Sequence, residues 1–235
     1  MPDLTIRLIS CTMNPVDTAE YAASKCYDSK PSPDGKILRM CAKKGHTSVL
    51  EHMYFNFEIS GVSRVLLAQL TRHRIASFSV RSQRYCNESA FDYVTPPDIQ
   101  KNMEAVMLYL DIMTRIQATY DQLVELGINK EDARFILPGA CETTLVMSIN
   151  ARSLMNLCHE RLCTRAQWEI RRMTQLMRDE VLKDEKLAAV LKDFLVPKCE
   201  RYPGFPFCPE GKGCCGRHPT LESVYQAPAK GGDQS

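Results

Sequence analysis

Apolar and polar positions alternate through LTIRLIS (residues 4–10), and a period of two predicts a β-strand there. HMYFNFEIS repeats the pattern, putting Met53, Phe55, Phe57 and Ile59 on one face of a half-buried strand. TTLVMSI is a third run with strand-forming, β-branched character. Elsewhere the spacing is helical. DTAEYAASKCYD predicts a helix capped by Asp17, ILRMCAKKG a shorter one stopped at Gly45, and RVLLAQLTRHR one capped by Ser63. From Asp98 to Gly127 a long helix is expected, with Val106, Leu110, Met113 and Leu123 at helical spacing. KEDARFIL is a short helix halted by Pro138, and ARSLMNLCHERL and RAQWEIRRMTQLMRDEVL complete the helical set. Strands and helices interleave without repeats, which predicts one mixed α+β domain over residues 1–196. From Pro197 the composition shifts to Pro, Gly and Cys, marking an extension over 197–235 whose last stretch, APAKGGDQS, reads as disordered.

Composition changes this picture little. The 235 residues are 44% hydrophobic and 25% charged, ordinary for a globular chain. A net charge of +2 offers no global attraction for nucleic acid or a membrane surface. MPDLTIRLIS lacks the basic segment and apolar run of a secretory leader, and no apolar run reaches membrane-spanning length. The eleven cysteines, an odd and scattered set, suit reduced thiols; a cytoplasmic protein is expected.

The local chemistry concentrates in TRHRIASFSVRSQRY (residues 71–85), where arginines, serines and a glutamine crowd together. Forked, permanently charged guanidinium groups match phosphate or carboxylate oxygens. From residue types alone, a phosphate cradle and a solvated basic loop stand level. GHTSVLEH offers His46, Ser48, Glu51 and His52; the spacing matches no common zinc pattern, and Ser48 with Glu51 reads more simply as a capping box. In NARSLMNLCHERL, Leu154, Leu157, Cys158 and Leu162 form an apolar stripe, while Arg152 and Asn156 share a polar face. Arg161 lies nine residues on, nearly opposite Arg152 at about 100° per residue, so either the helix ends before it or the two serve different ligands. No Gly-x-Gly-x-x-Gly or Walker loop is present, and no cysteine sits in a nucleophile context. The tail thiols Cys199, Cys208, Cys214 and Cys215 with His218 lack a C-x2-C knuckle, so no metal is expected.

Arg72-His73-Arg74, seven residues, then Ser82 resembles the Arg-His-Arg-x7-Ser signature of flavin-dependent thymidylate synthases. GHTSVLEH upstream, ARFILP downstream and NARSLMNLCHERL with AQWEI extend the resemblance over roughly Leu4 to Leu195. It implies reductive methylation of deoxyuridine monophosphate (dUMP) to thymidylate (dTMP), with methylenetetrahydrofolate as carbon donor. NADPH would reduce bound FAD, tetrahydrofolate would be released, and no cysteine nucleophile would be needed. The resemblance also implies a homotetramer with active sites shared among subunits, so that Arg152 and Arg161 would address neighbouring ligands or different sites.

Carried over by position, Gln69, Arg72, Arg81, Ser82, Gln83, Arg84, Arg134 and Arg161 would bind dUMP, and Arg161 would stabilise the uracil ionised at N3. His46, Ser48, Arg72, His73, Arg74, Asn150, Arg152 and Asn156 would contact FAD. Two positions depart from the pattern: Val80 stands where some relatives carry a polar or acidic residue, and Arg165 where some carry histidine near the flavin. Two other classes set the contrast. A nucleic-acid module would use residues 72–84 as a basic stripe with Phe78 and Tyr85 stacking on bases. A zinc-dependent hydrolase would need metal on His46, His52 or the tail cysteines.

Overall fold

A computed structural model describes residues 3–202 and 204–226. In chain order the elements begin with β1 (Thr5–Cys11), α1 (Pro15–Lys25), α2 (Lys36–Lys43), a 3-10 helix (Thr47–His52), β2 (Tyr54–Ser63), α3 (Arg64–Leu70) and β3 (Ala76–Val80). They continue with α4 (Pro97–Gln100), α5 (Met103–Glu125), α6 (Lys130–Ala133), β4 (Glu142–Asn150), α7 (Ala151–Arg161), α8 (Trp168–Val181), α9 (Glu185–Leu191) and α10 (Leu221–Gln226). Two compact units result: Met1–Ser10 with Asn56–Ser148, and Cys11–Phe55 with Ile149–Ser235. The extension groups with the second unit, and the contact pattern marks no boundary at Pro197. APAKGGDQS lies outside the described residues. No described helix is long and apolar enough to cross a membrane.

The strands form one antiparallel sheet in the order β1-β2-β4-β3. The central positions of β2 and β4 explain their clear patterns: Phe55, Phe57 and Ile59, and Leu145, Met147 and Ile149, are fully buried. Gly61 has φ +73°, and a Cβ there would meet the Asp3 carbonyl oxygen at 2.2 Å, so only glycine permits this strand approach.

Several expectations need correction. The helix capped by Ser63, whose hydroxyl accepts the Leu66 N–H at 3.0 Å, ends at Leu70, not Arg74. Residues 76–80, expected to continue as a loop, form the edge strand β3 with Ala76, Phe78 and Val80 half-buried and Ser77 and Ser79 exposed. Asp17 does not cap α1; Pro15 occupies the first turn, where its fixed φ suits a helix start, and Asn14 holds the cap position with φ 45°. The long helix from residue 98 is broken at Asn102, whose side chain accepts the Ala105 N–H at 3.1 Å and restarts it as α5. KEDARFIL gives only α6 and a 3-10 turn over Arg134–Ile136.

In the first unit Phe91, Met113 and Cys141 make a small core with Tyr93, Tyr109 and Leu137 packed on it. Gln117 on α5 pins the neighbouring loop at both ends of its amide: Nε2 donates to the Glu88 carbonyl at 3.2 Å and Oε1 accepts the Phe91 N–H at 3.0 Å.

In the second unit a buried carboxylate does the work of a cap. Glu20 on α1 accepts backbone N–H groups from Ser32 (2.9 Å), Ile37 (3.3 Å) and Leu38 (2.7 Å) at the start of α2, where Gly35 has no side chain to offer. Glu20→Ala leaves buried N–H groups unpaired and is expected to cost about 2–4 kcal/mol, read as a lowered urea midpoint at unchanged slope. A loss under about 0.5 kcal/mol, the size of an ordinary surface change, contradicts this role for Glu20.

Candidate active site

The arginine-rich segment is built by α3 and β3 in the first unit. Gln69 closes α3, half-buried, with its carbonyl accepting the Thr71 N–H; His73 N–H returns to the Leu70 carbonyl at 3.0 Å. Arg72 and Arg74 follow, both exposed, and neither forms an ion pair among the described residues. His73 between them is half-buried. The chain then runs through β3, and Arg81 N–H extends the ladder by donating to the Thr144 carbonyl at 2.9 Å.

Beyond β3 the backbone turns tightly. Cys86 N–H reaches the Ser82 carbonyl at 3.0 Å, and Arg84 N–H reaches the Ser82 hydroxyl at 3.2 Å. Arg81 donates to Glu88 Oε1 at 2.6 Å, where the carboxylate is buried and the arginine side chain is 36% exposed. This hydrogen bond is the main cause that raises the Arg81 pKa above its ordinary value, so the cation is secure. Arg84 pairs with Glu131 at 2.6 Å, and Arg134 Nε donates to the Glu131 carbonyl at 3.1 Å. The structure thus brings RSQRY and ARFILP together through one acidic residue that no motif announced.

Arg64 joins them. Its Nη2 donates to the Arg81 carbonyl at 2.7 Å, while Nε is buried with no hydrogen-bond partner. Burial is the first cause lowering its pKa, and the charges of Arg81 and Arg134 push the same way. Arg64, Arg81, Arg84 and Arg134 outnumber Glu88, Glu131 and Glu142, leaving positive charge and donor capacity beside the turn. That donor set suits a phosphate monoester. Gln83 Nε2 lies 3.3 Å from the Cys141 sulfur, and burial pushes that thiol up to about 11. Cys141 is therefore protonated near neutral pH and no nucleophile.

The second unit carries the remaining expected residues. Asn150 is buried and caps α7, its Oδ1 accepting the Ser153 N–H at 2.8 Å. The Glu51 carboxylate pairs with Arg152, joining GHTSVLEH to the first turn of α7. The expected capping box does not form: the 3-10 helix starts at Thr47 with exposed His46 in the cap position, so exposed Ser48 lies inside the first turn, and Glu51 pairs with Arg152 instead. Asn156 is exposed one turn past Arg152. Arg161, half-buried, is the last residue of α7, so the helix does not end before it and the two arginines point to opposite sides. Arg165 lies with the extension, its Nη1 3.9 Å from Glu210, and Val80 is half-buried at the end of β3.

Arg64, Glu88 and Glu131 were missed by sequence reasoning. Glu88 and Glu131 lie outside every recognisable motif, and Arg64 looks like an ordinary first-turn residue.

The model of the thymidylate synthase complementing protein family matches residues 7–184. The flavin-dependent thymidylate synthase of Clostridium tetani is 36% identical, with the match covering 94% of this chain and 96% of that protein. Its counterpart from Nitratidesulfovibrio vulgaris is 35% identical, covering 93% and 97%. Among solved structures, thymidylate synthase X from Helicobacter pylori with FAD and dUMP is similar at a TM-score of 0.67 and 27% identity, covering 82% of this chain and all but 1% of that one (99%). A signature in the right order, a phosphate-ready arginine turn and near full-length similarity agree: the chain belongs to the flavin-dependent thymidylate synthase family.

Proposed function

We propose that this protein methylates dUMP to dTMP, taking carbon from methylenetetrahydrofolate and reducing equivalents from NADPH through FAD. The observation that carries the proposal is the cluster of Arg64, Arg81, Arg84 and Arg134 around the Ser82 turn, with net positive charge and a buried unpaired donor. Gln69, Arg72, Arg81, Ser82, Gln83, Arg84 and Arg134 hold the nucleotide; the arginine forks and turn amides take its phosphate. Arg161 places a fixed cation at the uracil, stabilising negative charge at N3 as the ring is activated.

The residues for FAD fit its chemistry. Arg72 and Arg74 carry charge that no described acid neutralises, as a diphosphate requires, and His46, Ser48, His73, Asn150, Arg152 and Asn156 add polar contacts. When bound and reduced, FAD supplies the hydride that completes the methyl group. The protonated Cys141 thiol agrees with a route that needs no cysteine adduct. Tetrahydrofolate leaves as product.

The assembly in this proposal is a cytoplasmic homotetramer. Along α5, Met103, Met107, Leu108 and Ile112 are exposed, apolar area of the kind subunit contacts cover. FAD added to purified protein should bind and give a flavin spectrum that NADPH bleaches under anaerobic conditions. Arg72→Ala/Arg74→Ala should weaken FAD binding about 10–100-fold, the loss of two charge-assisted contacts. Unchanged FAD affinity in that variant removes both arginines from the flavin site.

A further inference from the structure

We propose that Cys208 and Cys214 form a reversible disulfide when the protein meets a low-molecular-weight disulfide of the glutathione type, and that this bond staples the extension after Pro197. The site is independent of the nucleotide chemistry.

The two thiols are gathered by backbone that the extension folds onto itself. Cys208 N–H donates to the Pro219 carbonyl at 2.8 Å, and Leu221 N–H donates to the Cys208 carbonyl at 3.2 Å. Cys214 is tied to the same stretch: its thiol donates to the His218 carbonyl at 3.2 Å, and its sulfur accepts the Gly216 N–H at 3.3 Å. Between the two cysteines the chain reverses through a 3-10 turn over Gly211–Gly213. Gly213 N–H reaches the Glu210 carbonyl at 2.9 Å, and Cys214 N–H the Gly211 carbonyl at 3.0 Å. The outcome is a direct side-chain hydrogen bond between Cys208 and Cys214, both of them free thiols. Sulfurs already in contact are the ones that oxidise without the surrounding chain having to unfold.

The other thiols of the extension are engaged elsewhere. Cys215 is hydrogen-bonded to the Thr164 side chain. The Cys199 sulfur lies with a Glu200 carboxylate oxygen and a His218 ring nitrogen, all within 4.8 Å of one another.

Access sets the order of the chemistry. Cys214 is half-buried and Cys208 buried, so the oxidant meets Cys214 first. Cys214 gives its proton to solvent and its sulfur attacks one sulfur of the oxidant; a mixed disulfide forms, the oxidant's S–S bond breaks and one small thiolate leaves. Cys208 then loses its proton and attacks the Cys214 sulfur, closing the protein disulfide and expelling the second small thiolate. The protein has lost two electrons and two protons, which end on two molecules of small thiol. An excess of that thiol reverses both steps.

A second, independent observation is what the extension lacks. Among its described residues beyond 197, Cys208 is the only buried hydrophobic side chain, while Tyr202 and Phe205 are at least half exposed. A segment with so little core gains from a covalent staple. The bond closes a loop around Glu210, whose carboxylate takes Lys198 Nζ at 3.0 Å and lies 3.9 Å from Arg165. A Cβ on Gly213 would collide with the Arg165 guanidinium, so this loop is packed against the turn that follows α7. The staple therefore acts where the extension grips its own unit.

The test is glutathione disulfide added to the purified full chain, followed by blocking of free thiols, trypsin digestion without reductant and mass spectrometry. Cleavage after Arg201, Lys212 and Arg217 leaves the two cysteines on separate peptides, so the expected bond joins Tyr202–Lys212 to Gly213–Arg217. The link should vanish on treatment with dithiothreitol and in both Cys208→Ser and Cys214→Ser, and persist in Cys215→Ser. Should Cys208→Ser, a change at a buried position, fail to fold, Cys214→Ser and Cys215→Ser decide between them. Glutathione adducts alone in the wild type, a bond from Cys208 to Cys199 or Cys215, or a link that survives in Cys214→Ser overturns the proposal.

Discussion

Arg161→Ala is expected to lose about 10²- to 10³-fold in kcat for dTMP formation, the range for removing one preorganised group that stabilises developing charge. FAD binding should change little. The residue closes α7 opposite Arg152, which pairs with Glu51. A cation that meets the uracil only as it becomes anionic acts on the transition state more than on the ground state. The expected signature is therefore a fall in kcat with a modest change in the KM for dUMP. Arg161→Lys keeps the charge but not the fork, and should recover only part of the rate. Equal loss of FAD binding and methylation would assign Arg161 to the flavin instead.

The Arg81–Glu88 pair gives the second large effect, with two separable parts. Arg81→Ala strands a buried carboxylate. A fully buried pair broken on one side loses about 3–5 kcal/mol; with the Arg81 side chain 36% exposed, solvent screening reduces this to about 2–3 kcal/mol. The same change removes a phosphate donor and should raise the KM for dUMP about 10–100-fold. Arg81→Ala/Glu88→Gln removes the stranded charge, so stability should largely return while the weak dUMP binding persists. Recovery of both together would mean that Arg81 only holds the loop and does not touch the nucleotide.

What the sequence made legible follows from burial. β2 and β4 sit at the centre of the sheet with one face apolar but for Thr143, so Phe57, Ile59, Leu145 and Met147 announce them. β3 lies at the edge, interleaves serines, and sits inside a segment whose arginines suggest a loop. The Arg-His-Arg-x7-Ser spacing was visible because those residues are close in sequence. Glu131 was not: it meets Arg84 across 47 positions, and only the fold makes that contact. Glu20 was hidden likewise, since a glutamate inside an amphipathic helix looks solvated until α2 presents its amides.

The central claim is the conversion itself. Purified protein should be incubated anaerobically with dUMP, methylenetetrahydrofolate, NADPH and FAD, and both the nucleotide and folate products identified by mass spectrometry. The account predicts dTMP and tetrahydrofolate in equal amounts, with neither formed when FAD is withheld. Unchanged dUMP with the flavin reduced, or dTMP formed together with dihydrofolate, would contradict it.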